Sequence, residues 1–229
     1  MLSSWGVEFE PVNVHGNAAR QAELAALGVP RVPATVLGDD LVHGWNPSAL
    51  AKLVGVDYDG GPALDPEELA QAQDNILYYA QHLVKRLSAH QLALKHPERD
   101  RTLRNLVFHL FRLSAAFVDA MEQRRFPLEW LIVNVPDEME TGEAVAQYGA
   151  GVRARLAAWF GQAPAGVFAE AVPTYYGDQS AHELLERTTW HAGQHLRQVY
   201  DLLERDGSLP GDPLPMELFE GLPLPEELW

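Results

Sequence analysis

The sequence predicts a mainly α-helical protein in which a small α/β unit, residues 1–56, precedes a four-helix bundle, residues 65–229. Two features lead to this prediction. Short β-branched segments alternate with short amphipathic segments in the first unit, whereas apolar residues recur every three or four positions through four long segments of the second. Residues 57–64 (DYDGGPAL) lie between them, and their acidic side chains and Gly-Gly-Pro cluster are typical of a linker.

The amino-terminal unit is predicted to contain three strands and two helices. Asn17 is a suitable N-cap for the first helix, Gly28 is a suitable end, and Asn46 precedes the second helix. Pro11 cannot donate to a strand ladder, so the first strand is predicted to lie at a sheet edge. The predicted elements are a strand over Val7–Val14, a helix over Asn17–Leu27, strands over Ala34–Leu37 and Leu41–His43, and a helix over Pro47–Val54.

The helices of the bundle are marked by capping residues. Asp65 is followed by a proline and two glutamates, which favour an N-cap and a first helical turn. Ser180 precedes Glu183 by three residues, the spacing of a capping box, and Gly207 follows the end of that helix. The helices are predicted over Asp65–Leu94, Pro97–Gln123, Gly142–Trp159 and Ser180–Glu204.

The segment Ser208–Trp229 follows the last predicted helix and is rich in proline. Its apolar side chains would all contact water if the segment extended into solvent, which is unfavourable. We therefore expect the segment to lie against the bundle. The apolar residues concerned are Leu218, Phe219, Leu222, Leu224 and Trp229.

The charge of the chain limits its partners. The formal net charge is −15, and residues 201–229 carry eight acidic side chains against one arginine. Such a surface repels phosphate backbones, so no nucleic-acid partner is expected. No apolar stretch approaches the roughly 20 residues of a membrane helix, and the first residues lack the pattern of a signal peptide. We expect a cytoplasmic protein that acts on a small-molecule substrate and has no membrane partner.

Cysteine is absent from the sequence. This absence excludes disulfides, zinc–thiolate sites and a thiol nucleophile supplied by this chain. A transition metal would therefore have to be bound by histidine and carboxylate side chains.

His191 and His195 form the first part of a candidate metal site. They are four residues apart in a predicted helix, so both imidazoles project from one face. That spacing suits two neighbouring ligands of one metal ion. By itself the pattern is weak, because a pair of histidines at this spacing also occurs by chance on helix surfaces and in cores.

His109 supplies a third imidazole. It lies in an apolar stripe with Leu106, Leu110 and Leu113, so it is predicted to face the interior. A single inward histidine is more often a core residue bound by a polar neighbour than a ligand. Three imidazoles that converge in an apolar bundle are costly unless something binds them, and a metal ion is the simplest partner.

Three neutral nitrogens would leave at least one open position on the ion, which is typical of a catalytic site. Zinc, nickel, iron and copper all accept such ligands. The residues predicted to support the site or to line a substrate pocket are Gln194, Arg197, Gln198 and Trp190. For these polar residues an exposed position on the helix is an equal alternative.

Residues 65–229 resemble the DinB-like superfamily, which includes the YfiT-like metalloenzymes. The resemblance is carried by Leu-Val-Phe-His109 on the second helix and by the run from His191 through His195 to Gln198 on the fourth. It implies a four-helix bundle, one divalent ion, usually nickel or zinc, on three histidines, and frequently a homodimer. Characterised relatives use low-molecular-weight thiols in transferase or isomerase reactions.

Residues 1–56 resemble the second half of a glutaredoxin or thioredoxin-like domain. The matching segments are Gly28-Val29-Pro30-Arg31-Val32-Pro33, where Pro33 matches the cis-proline of the family, and Val42-His43-Gly44-Trp45-Asn46. In glutaredoxins these segments line the glutathione groove. The resemblance therefore implies that Val32, Pro33 and Asn46 belong to a groove for a thiol ligand.

The thioredoxin-like resemblance is incomplete, because the first strand, the redox cysteine and most of the first helix have no counterpart. Either the gene start is misplaced and a further ~25–30 residues precede this chain, or the domain has decayed and only supports the bundle or pairs with another subunit. We favour a misplaced start.

These features predict a metal-dependent enzyme, a thiol (glutathione-like)-dependent transferase or a hydrolase. The alternative is a non-catalytic metal-binding or stress-response module, and a third interpretation is a metal-free bundle with three core histidines. The sequence identifies no general base, because Glu183 and Glu186 have the wrong helical phase to approach His191.

Overall fold

The computed structural model of the chain describes residues 2, 5–14, 16–29, 32–44, 46–58, 62–97, 99–211, 213–225 and 228. The chain divides into two compact units, Met1–Gly61 and Pro62–Trp229. Several residues of the predictions lie outside the described residues, namely residues 59–61 of the linker, Pro30, Arg31 and Trp45 of the thioredoxin-like segments, and Trp229.

The amino-terminal unit contains two helices and one hairpin, α1 (Ala18–Ala26), β1 (Ala34–Leu37), β2 (Asp40–His43) and α2 (Pro47–Val54). The strands pair antiparallel, with Ala34 opposite His43 at one end. The side chain of Asn17 accepts a hydrogen bond from the backbone N–H of Arg20, and that of Asn46 accepts one from Ala49. Both predicted N-caps are therefore confirmed.

The strand predicted over Val7–Val14 is not formed. The only sheet among the described residues of this unit is the β1–β2 hairpin, so the alternating segment has no strand to pair with. Pro11 also lacks the N–H that a ladder would require. The peptide bond between Val32 and Pro33 is cis, as the resemblance implies.

The carboxy-terminal unit is mainly helical. Its helices are α3 (Pro66–Val84), α4 (Ala89–Ala93), α5 (Leu103–Gln123), α6 (Gly142–Phe160) and α7 (Ala181–Arg205). The capping boxes at Asp65 and at Ser180 are both present. These helices confirm the predicted type of the four long elements.

Two predicted helix boundaries in this unit are wrong. The first helix does not continue to Leu94, because Ser88 and Gln91 form a new capping box that begins α4. The second helix begins at Leu103 instead of Pro97, since the side chain of Thr102 caps the N–H of Asn105. Thr102 also pairs with Lys95 in an isolated antiparallel bridge, which fixes the chain before the helix.

Contacts along the long helices α3, α5 and α6 show their relative directions. Gly142 at the start of α6 meets Val84 at the end of α3, so these two helices are antiparallel. Arg155 of α6 donates to Asp119 of α5, and Gly149 lies on Phe111 one to two turns earlier in both helices. The helices α5 and α6 are therefore parallel.

Helix α7 completes the bundle next to both α3 and α5. Ala63, just before α3, donates to Glu186 in the second turn of α7, and Gly193 further along packs near Ile76 of α3. Helix α7 thus runs parallel to α3 and antiparallel to α5. The resulting up-down-down-up arrangement places α5 and α7 side by side, with the apolar core between the helices.

A second hairpin, which the sequence did not predict, precedes α7. Its strands β3 (Ala171–Thr174) and β4 (Gly177–Ser180) pair antiparallel. Tyr175 and Tyr176 form its turn, and the backbone of Phe126 bonds to Pro173 and Tyr175. These hydrogen bonds attach the hairpin, which leads directly into α7, to the chain just after α5.

The carboxy-terminal segment lies against the bundle, as predicted for its described residues. Phe219 and Leu222 are buried, and Phe219 contacts Gly193 of α7. Leu218 and Leu224 are half-buried against the same core. No helix in the described part of the chain is long and apolar enough to cross a membrane.

The contact between α6 and α3 gives a test of the bundle. A Cβ atom on Gly142 would lie on the carbonyl oxygen of Val84, so Gly142→Ala is expected to lower the free energy of unfolding by about 1–3 kcal/mol. Gly151 on the same helix has no atom within 4 Å of its Cβ position. Gly151→Ala should therefore raise the free energy of unfolding by about 0.5–1 kcal/mol. Urea unfolding followed by circular dichroism measures both, and equal effects would contradict the close contact.

Candidate metal centre

The three predicted histidines are brought together by α5 and α7. His109 lies in the middle of α5 and its side chain is 6% exposed, because the stripe around it packs into the core. His191 and His195 lie one turn apart on α7, with His195 8% exposed and His191 half-buried. The antiparallel packing of the two helices places the ring of His109 against the other two.

The distances between the rings fit a shared ligand. The ring centroid of His109 lies 6.2 Å from that of His191 and 5.0 Å from that of His195. The centroids of His191 and His195 are 4.8 Å apart. One nitrogen from each ring lies within 4.8 Å of the others. Nitrogens bound to one ion at about 2.1 Å are at most about 4.2 Å apart, so small ring rotations suffice to bring the three to that separation.

Burial makes all three imidazoles neutral at pH 7. Desolvation, with the positive potential of His195 and of nearby arginines, lowers the pKa of His109 and of His191 well below the usual value. Desolvation also lowers the pKa of His195 to about 4, although its hydrogen bond to Gln198 acts in the opposite direction. Neutral imidazole is the form that binds metal ions.

A hydrogen bond fixes the tautomer of His195. Nε2 of Gln198 donates to the carbonyl oxygen of Leu228 at 2.7 Å, so Oε1 of Gln198 faces His195 at 2.8 Å and must accept from Nδ1. The lone pair of His195 is then on Nε2. This arrangement, in which a polar neighbour holds the second nitrogen of a ligand, is typical of metal sites.

Two ring nitrogens of the cluster are buried without a hydrogen-bond partner, Nδ1 of His191 and Nε2 of His195. Buried polar atoms are rarely left unbound, because each loses its bonds to water. The buried His109, His191 and His195 cluster could therefore hold a metal ion, and its donor set fits one.

The other predicted support residues occupy different positions. The amide of Gln194 donates to Leu228 O and Arg197 donates to Pro225 O, so both bind the carboxy-terminal segment. Trp190 packs beside the ring of His191, with centroids 5.1 Å apart. Gln198 forms a hydrogen bond to His195 of the cluster.

The residues predicted for a thiol-ligand groove all lie in the amino-terminal unit. Val32 is 55% exposed, Pro33 follows the cis bond, and Asn46 caps α2. Pro33 O accepts from the N–H of Gly44, which joins the two matching segments. No ligand contact is described at these positions, so the thiol-ligand groove stays a prediction.

The acidic residues of α7 have structural contacts. Glu183 completes the capping box with Ser180, and Glu186 accepts from the N–H of Ala63. The cluster contains no carboxylate among the described residues. His82 on α3 lies outside the cluster, is exposed, and forms a hydrogen bond through Nδ1 to the carbonyl oxygen of Tyr78.

Arg187 is a further residue near the cluster that was not predicted from the sequence. It lies one turn before His191 on α7, is 5% exposed, and contributes a positive potential at both His109 and His191. Its spacing of four residues from His191 was the available signal. Arg101, before α5, likewise acts on all three histidines.

The comparison with protein families agrees with this architecture. The family model described as the DinB superfamily matches residues 63–199, which include all three histidines. The chain therefore belongs to the DinB superfamily. The match does not extend to the amino-terminal unit, and no curated protein matches the chain.

The lowered pKa values predict the acid sensitivity of the metal-free protein. The pKa of His195 is about 4 when folded and about 6.5 when unfolded. The unfolded chain therefore binds more protons between these values, and the free energy of unfolding falls as the pH falls from about 6.5 to 4. His195 should account for a loss of about 3 kcal/mol in this window and for none above it.

The variant His195→Gln isolates this contribution, since glutamine does not titrate and can still donate to Gln198. Denaturant unfolding in the presence of a chelator, at pH 7 and at pH 4.5, measures both proteins. Wild type should lose more stability than the variant on acidification. Parallel pH profiles would contradict a buried neutral His195.

Proposed function

We propose that this DinB superfamily protein is a divalent-metal-dependent enzyme in which His109, His191 and His195 bind one ion, nickel or zinc. The observation that carries the proposal is the burial of three neutral imidazoles, two of which have ring nitrogens without a partner. A structural core histidine would have both nitrogens satisfied by polar neighbours.

A divalent ion with three protein ligands lowers the pKa of a water or thiol at its open position. The residues of this chain prepare the site for that role. Gln198 holds the His195 ring with Nε2 available, and Leu228 holds Gln198 in turn. The apolar packing of α5 and α7 excludes water from the ligands, which strengthens electrostatic interactions there.

A thiol such as glutathione is the proposed cosubstrate, and transferase is the proposed reaction class, with hydrolysis as its alternative. The support is the resemblance to thiol-using relatives and the glutaredoxin-like pattern around Val32, Pro33 and Asn46. We propose that these three residues form a groove for a thiol ligand within the amino-terminal unit. Since the chain has no cysteine, the reacting sulfur would have to come from the cosubstrate.

The competing proposal is a non-catalytic metal-binding or stress-response module. Its support is the absence of a carboxylate at the cluster among the described residues, which leaves no general base from this chain beside the ion. A homodimer is part of either proposal, by the same resemblance.

Metal content is the first test. Protein purified without a histidine tag and incubated with Ni²⁺ or Zn²⁺ should retain about one ion per chain, as measured by elemental analysis after desalting. His191→Ala should lose the ion, because two imidazoles hold it far less tightly than three.

The matched control is His82→Ala, which removes an exposed histidine outside the cluster. It should retain the wild-type metal content. Wild-type protein that stays empty after incubation, or equal metal content in the two variants, would overturn the metal site.

Thiol binding distinguishes the enzyme from the module. Glutathione added to the Co²⁺-loaded protein should produce a sulfur-to-cobalt charge-transfer absorption, because a thiolate enters the open position. S-methylglutathione, which has no free thiol, should produce none. A cobalt spectrum that glutathione does not change would favour the non-catalytic module.

A further inference from the structure

Arg187 is a buried cation that the proposed metal chemistry does not use. Its side chain is 5% exposed and lies one turn before His191 on α7. Three aromatic rings surround the guanidinium group, with centroids 5.1 Å away at Phe126, 5.8 Å at Tyr175 and 4.9 Å at Tyr176. Phe126 lies just after α5, and Tyr175 and Tyr176 form the turn of the β3–β4 hairpin.

The hydrogen bonds of Arg187 are incomplete. Nη2 donates to the hydroxyl of Tyr175 at 3.0 Å, whereas Nη1 is buried and has no partner. No acidic side chain of the described residues forms an ion pair with it. A buried arginine without a carboxylate is unfavourable, because its charge has lost water and gained no counterion.

On its histidine side Arg187 has positive neighbours, although Glu183 acts on Tyr176, whose ring Arg187 also contacts. Its charge reaches His109 and His191, and Arg101 acts on the same histidines. The described histidine cluster contributes no acidic group. An anion bound to Arg187 would satisfy the unpaired Nη1 and offset the positive potential at the histidines.

The aromatic rings restrict what that anion can be. Rings that pack around a guanidinium group leave its planar edge as the direction for hydrogen bonds. A carboxylate is planar and singly charged and matches this edge, whereas a phosphate dianion would leave an excess negative charge among aromatic side chains. Tyr175 and His191 beside Arg187 are half-buried and thus partly reach solvent, whereas Nη1 of Arg187 is itself buried.

We propose that Arg187 binds the carboxylate of a small organic molecule beside the three histidines. The molecule is either the substrate or the thiol cosubstrate, and both sources present the same chemistry to Arg187. This carboxylate would define the substrate class of the proposed enzyme. It rests on the proposed function in one respect, because the other end of the molecule would face the metal ion. Binding of the carboxylate itself requires no metal.

Calorimetric titration with propionate tests the carboxylate site. Propionate should bind the full chain, metal-loaded or metal-free, and Arg187→Met should weaken its affinity by about tenfold or more, as expected for a hydrogen-bonded charge pair. Arg205→Met is the matched control, since it removes an exposed arginine of the same helix. It should leave the affinity unchanged.

Thermal unfolding separates binding from a structural role. Without propionate, Arg187→Met should unfold at the wild-type temperature or higher, because it removes an unpaired buried charge. If that variant does not fold, Arg187→Lys keeps the charge without the planar fork and should weaken propionate binding several-fold. Equal propionate affinity in wild type and in the folded Arg187 variant, or no propionate binding by wild type, would overturn the proposal.

Further ligands identify the chemistry and its source. Inorganic phosphate that binds more tightly than propionate, with the same dependence on Arg187, would overturn the assignment of a carboxylate. In the metal-loaded protein, 3-mercaptopropionate that binds much more tightly than propionate or 2-mercaptoethanol would assign the carboxylate to the thiol. Equal affinity of 3-mercaptopropionate and propionate would support a carboxylate on the second substrate.

The two proposals fail in different ways. Loss of metal binding would leave propionate binding to the metal-free protein intact. Failure of the carboxylate site would appear as an Arg187→Met variant with unchanged propionate affinity and unchanged metal content.

Discussion

The burial of three neutral imidazoles between α5 and α7 is the constraint on which the candidate site depends. Each neutral ring has one nitrogen that donates and one that accepts, and an apolar interface supplies few partners. Gln198 accepts from His195, whereas Nδ1 of His191 and Nε2 of His195 have no partner. An ion shared by the three rings would bind the free lone pairs that helix packing cannot satisfy. The same packing that stabilises the bundle therefore creates the need for a ligand.

The carboxy-terminal segment contributes to this constraint from outside the bundle. The carbonyl oxygen of Leu228 accepts from both Gln194 and Gln198, and this determines which amide atom of Gln198 faces His195. Phe219 packs on Gly193 of the same helix, where a larger residue would meet its ring. The segment thus contacts α7 through both hydrogen bonds and apolar packing. Its effect on the site passes through Gln198 to the ring of His195.

The parts of this arrangement that depend on local sequence could be predicted. The four-residue spacing of His191 and His195 and the apolar stripe around His109 determine which faces they occupy, so the cluster followed from helical periodicity. The break before α4 was not predicted because apolar residues continue through it, whereas α3 ends at Val84 and the capping box at Ser88 begins a new helix. The environment of Arg187 could not be predicted, since Phe126 is distant in sequence and Tyr175 and Tyr176 are placed by a hairpin that was not predicted.

The charges explain how a cation site and two arginines can share one region. A divalent ion near Arg187 and Arg101 would be unfavourable alone, because like charges repel. Anionic ligands remove this conflict, and a thiol cosubstrate and a carboxylate each supply a negative group. The net charge of −15 does not oppose them at the site, since exposed charges are screened beyond about 10 Å. The same net charge disfavours extended polyanions at the surface, which agrees with the proposal of small organic anions as ligands.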